Sequence, residues 1–572
     1  MVNRLARAVS GFVPLAIVLA SCAPATAPTG QLSAAGSGLD QPQRPKILAM
    51  GVLTKVATID GYTGEGGTRS GAEMLPLLNN LLTVVDRSGQ VQPELALEVP
   101  SIDKGTWQIL PDGRMVMTWK LRPGVKWHDG TPFTSDDMLF SLQLHKDPDL
   151  AHAESAIAKL MESAAAPDSN TFVVTWSSIY VDADQAPALA PNARHYLEAD
   201  YLADKEAFVN SAKYRDQYIG LGPYRMAAWD GGLKMELARF DEYWQGRPLL
   251  DRIVINIISD TNAVVAQILS GAVDVIMPTA VGAEGATEVK RRWEGTGNVT
   301  RIAPVPILEY IEPMTRPEYA KPSNGMPQLA VRQAMMFGID RTGLTEAITL
   351  GLGPVADTHW FPYDALYPQL ESAAFKYPYD PDHAKQLLAQ AGWEPGADGI
   401  LVHRPSGERF ETEVMVNQTL PVKVGDILAA DWKQLGIVAA VNPISPARST
   451  DRAYQAQRPG PYATYAFGTP PWSSYRLYGK ELASEANRWS GRNRVGYQNP
   501  RSDAVLEQLL QTVDPAQRLP LLREQVQIYT TDAALMPLYW EVRTALMLQS
   551  VKADIQPFLP YWNAFSWDKE AS

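Results

Sequence analysis

Apolar and polar side chains alternate most strictly over residues 114–122. Met115, Met117, Trp119 and Leu121 form one set. Arg114, Thr118, Lys120 and Arg122 form the other, with Val116 the apolar exception. A period of two predicts a strand with one buried face. Pro123-Gly124 then supplies a turn, because proline fixes one φ and glycine accepts a positive one. Val125–His128 is expected to run back as a second short strand, and Asp129-Gly130 to turn the chain again. Thr134 and Asp137 have the spacing of a capped helix start, just ahead of Met138, Leu139 and Phe140. Trp119–Asp137 thus encodes a hairpin, a turn and a capped helix.

Similar patterns recur along the chain. Lys46–Val52 reads as a first strand, and Met74–Val85 as a helix or strand. Asp168–Trp176 reads as a turn and a strand, and the polar, aromatic Lys205–Gln217 as surface helix. Ile253–Ile258 is a β-branched strand, Ala263–Leu269 an amphipathic helix stopped by Gly271, and Val273–Met277 the next strand. Asp380 caps a helix with Pro381 in its first turn, Ala384, Leu387, Leu388 and Ala391 as its buried stripe, and Gly392 as its end. Ile427–Gly436 is a further helix, followed by the strand Val438–Val441. Alternation of this kind predicts an α/β body, a sheet flanked by helices.

Length raises the expected domain count. A chain of 572 residues exceeds what one small core supports, so two or three domains are expected. A formal charge of −12 argues against a nucleic-acid partner. The N-terminus carries Arg4 and Arg7, then no charge until Asp40. Gly11–Ala20 has the length of a signal-peptide core and is too short to span a bilayer. It ends at Leu19-Ala20-Ser21-Cys22, which resembles a bacterial lipobox, and Cys22 is the single cysteine. Residues 1–22 therefore read as a lipoprotein signal with Cys22 as the lipid attachment point. A plain secretory signal with a chance cysteine is the alternative. Residues 23–45, rich in Ala, Pro, Thr, Ser and Gly, read as a flexible tether.

Catalytic signatures are missing from the sequence. The seven histidines form no H-E-x-x-H and no H-x-H spacing. No G-x-S-x-G elbow or G-x-x-x-x-G-K-[ST] loop occurs. His128-Asp129-Gly130 reads as a turn aspartate beside an exposed histidine, and Asp136-Asp137 as helix-start carboxylates. No enzyme activity, cofactor or metal is expected. Aromatic residues are abundant instead, with 15 Trp and 23 Tyr. Tyr462, Tyr465, Phe467, Trp472, Tyr475 and Tyr478 crowd a stretch full of Gly, Pro, Ser and Thr. It is expected to be irregular and to suit a pocket wall, since aromatics offer apolar area with few rotatable bonds.

Several motifs, in order, resemble those of the family 5 extracellular solute-binding proteins, the oligopeptide, dipeptide and nickel binders of ABC importers. Leu121-Arg122 to Asp137 is similar to their LR-x-G-V-K-F-x-D-G-x-P-x-T-A-x-D, with Trp127 for Phe and Ser135 for Ala. Gly89 to Ala96, Gly220-Leu221-Gly222-Pro223-Tyr224, Tyr243-Trp244-Gln245-Gly246 and Val331-Arg332-Gln333-Ala334 follow the family pattern. So do Gly338 to Arg341, Asp380 to Trp393, Gly491 to Pro500 and Met536-Pro537-Leu538-Tyr539. The resemblance spans roughly residues 46–565.

It implies a two-lobed periplasmic-binding-protein-like fold of the large, class II type, with an extra inserted subdomain. The first lobe is expected at 46–308 plus 540–572, with the insertion at about 95–217, and the second at 309–539. It further implies a monomeric, extracytoplasmic, lipid-anchored protein that binds a peptide or small solute between its lobes and serves ABC permease subunits. Dipeptide and oligopeptide members pair the ligand's α-ammonium with an aspartate in the aromatic stretch. Here Arg458–Tyr478 contains no acid. Either Glu312 or Asp451 takes that role, or the ligand is not a free-N-terminus peptide. Tyr465, Trp472, Trp489, Asn493, Tyr310 and Glu312 are the candidate ligand contacts. An oligosaccharide cargo is an alternative within the family. A polymer-gripping secreted hydrolase and a scaffold with a degenerate cleft are the alternatives outside it.

Overall fold

Two long strands, Val299–Glu312 and Met536–Met547, run antiparallel through the middle of a ten-stranded mixed sheet. This computed structural model describes residues 44–53, 69–86, 89–150, 156–185, 190–231, 233–467 and 474–570. The signal, Cys22 and the tether lie outside the described residues. On one side of the central pair come Val275–Ile276, Ile47–Val52, Arg252–Ile257, Lys234–Arg239 and Tyr224–Trp229. On the other come Tyr462–Phe467, Glu411–Val416 and Val438–Pro443.

The central pair changes register between Pro304 and Leu308. Pro304 and Pro306 lack an N–H, so the ladder cannot run unbroken there. Before the break, Val299–Pro304 pairs with Met547–Val542, which also meets Val275–Ile276. Beyond it, Ile307–Glu312 pairs with Phe467–Tyr462. Each strand therefore belongs to both halves of the sheet, and the body is two-lobed. The C-terminal tail packs with the first half. Lys46 meets Asp568 at 2.6 Å, Lys569 meets Asp274 at 2.8 Å, and Trp567 is buried in that core.

A separate four-stranded antiparallel sheet holds Trp107–Ile109, Met115–Lys120, Thr171–Trp176 and Met161–Asp168 in that order. Met115, Met117, Trp119 and Leu121 bury on one core with Trp127, Phe133 and Trp176, as their alternation predicts. The helix Ser135–Lys146 starts at Thr134, whose N–H donates to Asp137 Oδ2 at 2.9 Å. The Asp137 carboxylate also accepts from Arg194 N–H (3.0 Å) and Trp127 Nε1–H (3.2 Å). One side chain thus caps its own helix, meets the start of Arg194–Ala203 and orients the tryptophan.

Three expectations need correction. Val125–His128 is not a return strand. Phe133 N–H donates to Val125 O and Trp127 N–H to Thr131 O, so the stretch folds on itself. Met115–Lys120 takes Trp107–Ile109 and Thr171–Trp176 as its partners instead. Lys205–Gln217 is a short helix, Lys205–Val209, and a single 3₁₀ turn, and Phe208 and Tyr214 are buried against Phe140 and Tyr201. Tyr462–Phe467 is a strand rather than an irregular segment. It lies between two other strands with both faces covered, and therefore shows no alternation.

His128 is the fourth correction, because it is buried rather than exposed. Its backbone N–H donates to Gly220 O, its Nδ1 accepts from Gly220 N–H at 3.1 Å, and its Nε2 faces Gly222 O at 3.0 Å. Only the neutral ring with the proton on Nε2 satisfies both contacts. Burial pushes its pKa down to about 4, with the Gly222 carbonyl opposing. The unfolded imidazole titrates near 6.5. The neutral ring therefore contributes stability that is present above about pH 6.5 and lost as pH falls towards 4. Replacing His128 with Gln should lower the urea midpoint more at pH 7.5 than at pH 4.5. An equal loss at both would show that this ring does not titrate differently on folding.

Candidate functional site

Glu312 ends the long strand Val299–Glu312, and its side chain is 12% exposed. Its Oε2 accepts from Arg458 at 2.5 Å, and its Oε1 from Arg476 at 3.1 Å and from the Tyr310 hydroxyl at 2.8 Å. Arg476 also donates to the Tyr310 oxygen at 2.8 Å. Burial would raise the Glu312 carboxyl, but Arg458 and Arg476 overcome it and hold the pKa near 2. This carboxylate is already the counter-ion of two guanidinium groups. It fits that role rather than partnership with an incoming ammonium. Asp451 is a helix cap, accepting from Tyr454 N–H at 3.0 Å.

Positive charge exceeds negative charge around Glu312. Arg458 has 1% of its side chain exposed, lies 4.9 Å from the Tyr462 ring centroid and donates to Gln455 O. Arg494 is held by the Gln455 amide oxygen. Burial pulls the Arg494 guanidinium pKa down; Glu312 opposes this, and repulsion from Arg476, Arg458 and Arg452 adds to it. The Nε atoms of Arg458 and Arg494 are buried without hydrogen-bond partners. Removing ionic groups from water is costly unless they are paired, and here one carboxylate pairs with two arginines while a third lies within its field.

The remaining candidates scatter. Tyr465 pairs with Glu309 across the ladder, so it points to the face opposite Tyr310 and Glu312 and packs on the second lobe's helix side. Trp472 lies outside the described residues. Trp489 sits at φ 60° and meets the Tyr319 ring edge-on at 6.5 Å. Asn493 is fully buried and committed to backbone: it donates to Tyr478 O (3.1 Å) and Tyr497 O (2.8 Å) and accepts from Gly496 N–H (2.9 Å). It positions the loop between Arg492 and Arg494. Among the described candidates, the structure therefore brings together only Tyr310 and Glu312.

The Tyr180–Gln185 segment, which follows the last strand of the four-stranded sheet, approaches the second lobe. Val513 packs into the insert's core, and Tyr475 and Arg492 lie within electrostatic reach of Tyr180. Burial raises the Asp182 pKa to about 7, opposed by Arg518 and assisted by Asp184. The two lobes thus meet at Val513, Tyr475, Arg492 and Arg518, with Tyr475 next in sequence to Arg476. Sequence reasoning missed the cluster because it searched Arg458–Tyr478 for an acid. The signal was present in the same stretch as the two arginines themselves.

Two lobes joined by two shared strands, with polar side chains gathered where the lobes meet, define a solute-binding architecture. The profile of the bacterial extracellular solute-binding proteins, family 5, matches residues 90–484. The chain is similar to heme-binding protein A of Haemophilus influenzae, at 26% identity over 86% of this chain and 87% of that protein. It is also similar to the oligopeptide-binding protein AppA of Bacillus subtilis, at 26% identity over 74% and 73%. The structure of NikZ from Campylobacter jejuni in complex with Ni(L-His) superposes with a TM-score of 0.73, at 21% identity, covering 92% of this chain and all of that one. This chain belongs to the family 5 extracellular solute-binding proteins. It is the substrate-binding component of an ABC-type importer, works outside the cytoplasm and has the fold of non-catalytic binders.

Proposed function

We propose that the protein captures a peptide or similar small solute between its lobes, closes on it, and hands it to ABC permease subunits. The lobes are residues 46–308 with 540–572, carrying the insertion at about 95–217, and residues 309–539. A lipid on Cys22 tethers a monomer to the membrane, consistent with a body in which no described helix is long and apolar enough to span one. Tyr310 and Glu312 serve by holding Arg476, and Tyr465 by shaping the neighbouring strand. The observation that carries this reading is the double crossing at Val299–Glu312 and Met536–Met547, with the register break at Pro304–Leu308. Two crossings form a hinge, and a ligand touching both lobes stabilises only the closed form. The relatives' names mention haem, oligopeptide and a nickel–histidine complex, so the family accommodates chemically different cargo.

Solute capture should appear as thermal stabilisation. A solute present at a hundred times its Kd adds about 2.7 kcal/mol to stability. The mature protein, screened with peptides, oligosaccharides and small carboxylates, should show a raised midpoint with at least one class. Native mass spectrometry of the purified protein should show a bound small molecule. An unmoved midpoint across all classes, with no bound mass, would count against capture.

A further inference from the structure

We propose that Arg476, backed by Arg458 and Arg494, is an anion subsite of the solute cleft, and that the cargo carries a carboxylate at that point. The inference rests on the solute-capture reading and narrows it to a substrate class. Four observations support it independently of the relatives. Three guanidinium groups are gathered about the Glu312 carboxylate, leaving a local excess of positive charge. Arg458 is almost wholly buried, and its Nε has no partner. Arg476 is 42% exposed, so its guanidinium is open to an incoming solute. Tyr475, the preceding residue, lies within electrostatic reach of Tyr180 and Asp182, just past the four-stranded sheet, so Arg476 neighbours the place where the lobes meet.

Each group has a distinct role. Tyr310 and Glu312 fix Arg476 through its Nη1, leaving the rest of its planar fork for a ligand. A carboxylate accepts two parallel N–H bonds from such a fork. Arg458 and Arg494 do not need to touch the ligand. Their charge acts through a region that water screens poorly, favouring an anion and opposing an ammonium. The same field explains how a peptide-binding architecture can operate with no acid between Arg458 and Tyr478. The favoured cargo presents a free carboxylate to Arg476 and carries no cation beside it, as an N-acylated peptide or a polycarboxylate does.

Calorimetry and thermal shift on the mature protein provide the test. The probes are N-acetylated tripeptides with free C-termini, the same peptides as C-terminal amides, citrate, and neutral oligosaccharides. At least one carboxylate probe should bind, and amidation of a binding peptide should weaken it tenfold or more. Arg476→Gln should weaken the best carboxylate at least tenfold, with Arg476→Lys intermediate and both ligand-free variants still folded and unfolding cooperatively. Raising salt from 50 to 500 mM should weaken wild-type binding more than that of the Gln variant. Amides binding as well as acids, or an Arg476→Gln variant of unchanged affinity, would overturn the subsite. Binding of neutral oligosaccharides alone would overturn it while leaving solute capture intact. No binding in any arm would overturn it and count against capture as well.

Discussion

Gly222→Ala should be among the most destabilising single substitutions in the protein. A Cβ at this position would lie 2.5 Å from Leu78 C, 2.6 Å from Asn79 N and 2.7 Å from Leu77 O. All three are backbone atoms at the end of the helix Arg69–Leu78, where no side-chain rotation can relieve the clash. Gly222 N–H also donates to Leu78 O at 3.0 Å, so any retreat breaks that bond. Overpacking usually costs about 1–3 kcal/mol, and a backbone clash belongs at the top of that range or above it. The substitution would also push Gly222 O away from His128, loosening the insert where it joins the first lobe. Chemical denaturation should show the unfolding free energy falling by about 3 kcal/mol or more, or the variant failing to accumulate as folded protein. A midpoint within experimental error of wild type would mean that the two segments are not in contact.

Trp127→Ala should be comparably severe for a different reason. The ring is fully buried, stands edge-on to Phe133 at 6.0 Å and donates to Asp137. Its removal leaves a cavity and costs about 3–5 kcal/mol. Ligand preference should be unaltered, because Trp127 belongs to the insert's core and not to the arginine cluster. A change of selectivity at unchanged stability would relocate the binding site to the insert.

The elements legible in the sequence are those whose chemistry is local. Met115–Leu121 could be read because one face is buried and the other is largely not. The helix Pro381–Gln390 could be read from both ends, since Asp380 accepts from His383 N–H and Gly392 sits at φ 86°. Met161–Asp168 could not: it is an edge strand, paired only with Thr171–Trp176 and irregular in register. Tyr462–Phe467 was hidden because a strand covered on both faces has no period to detect. The burial of His128 depends on Gly220 and Gly222, far away in sequence. The arginine cluster is less local still, since residues 312, 458, 476 and 494 meet only once the second lobe has folded. Motif order could identify the family, and the absence of an acid in Arg458–Tyr478 could flag an unusual ligand. The positive field that replaces that acid required the fold.

The most direct test is small-angle scattering of the mature protein with and without a solute that raises its thermal midpoint. Closure about the two shared strands predicts a smaller radius of gyration when loaded, in proportion to site occupancy. An unchanged radius at saturating solute would contradict capture by lobe closure.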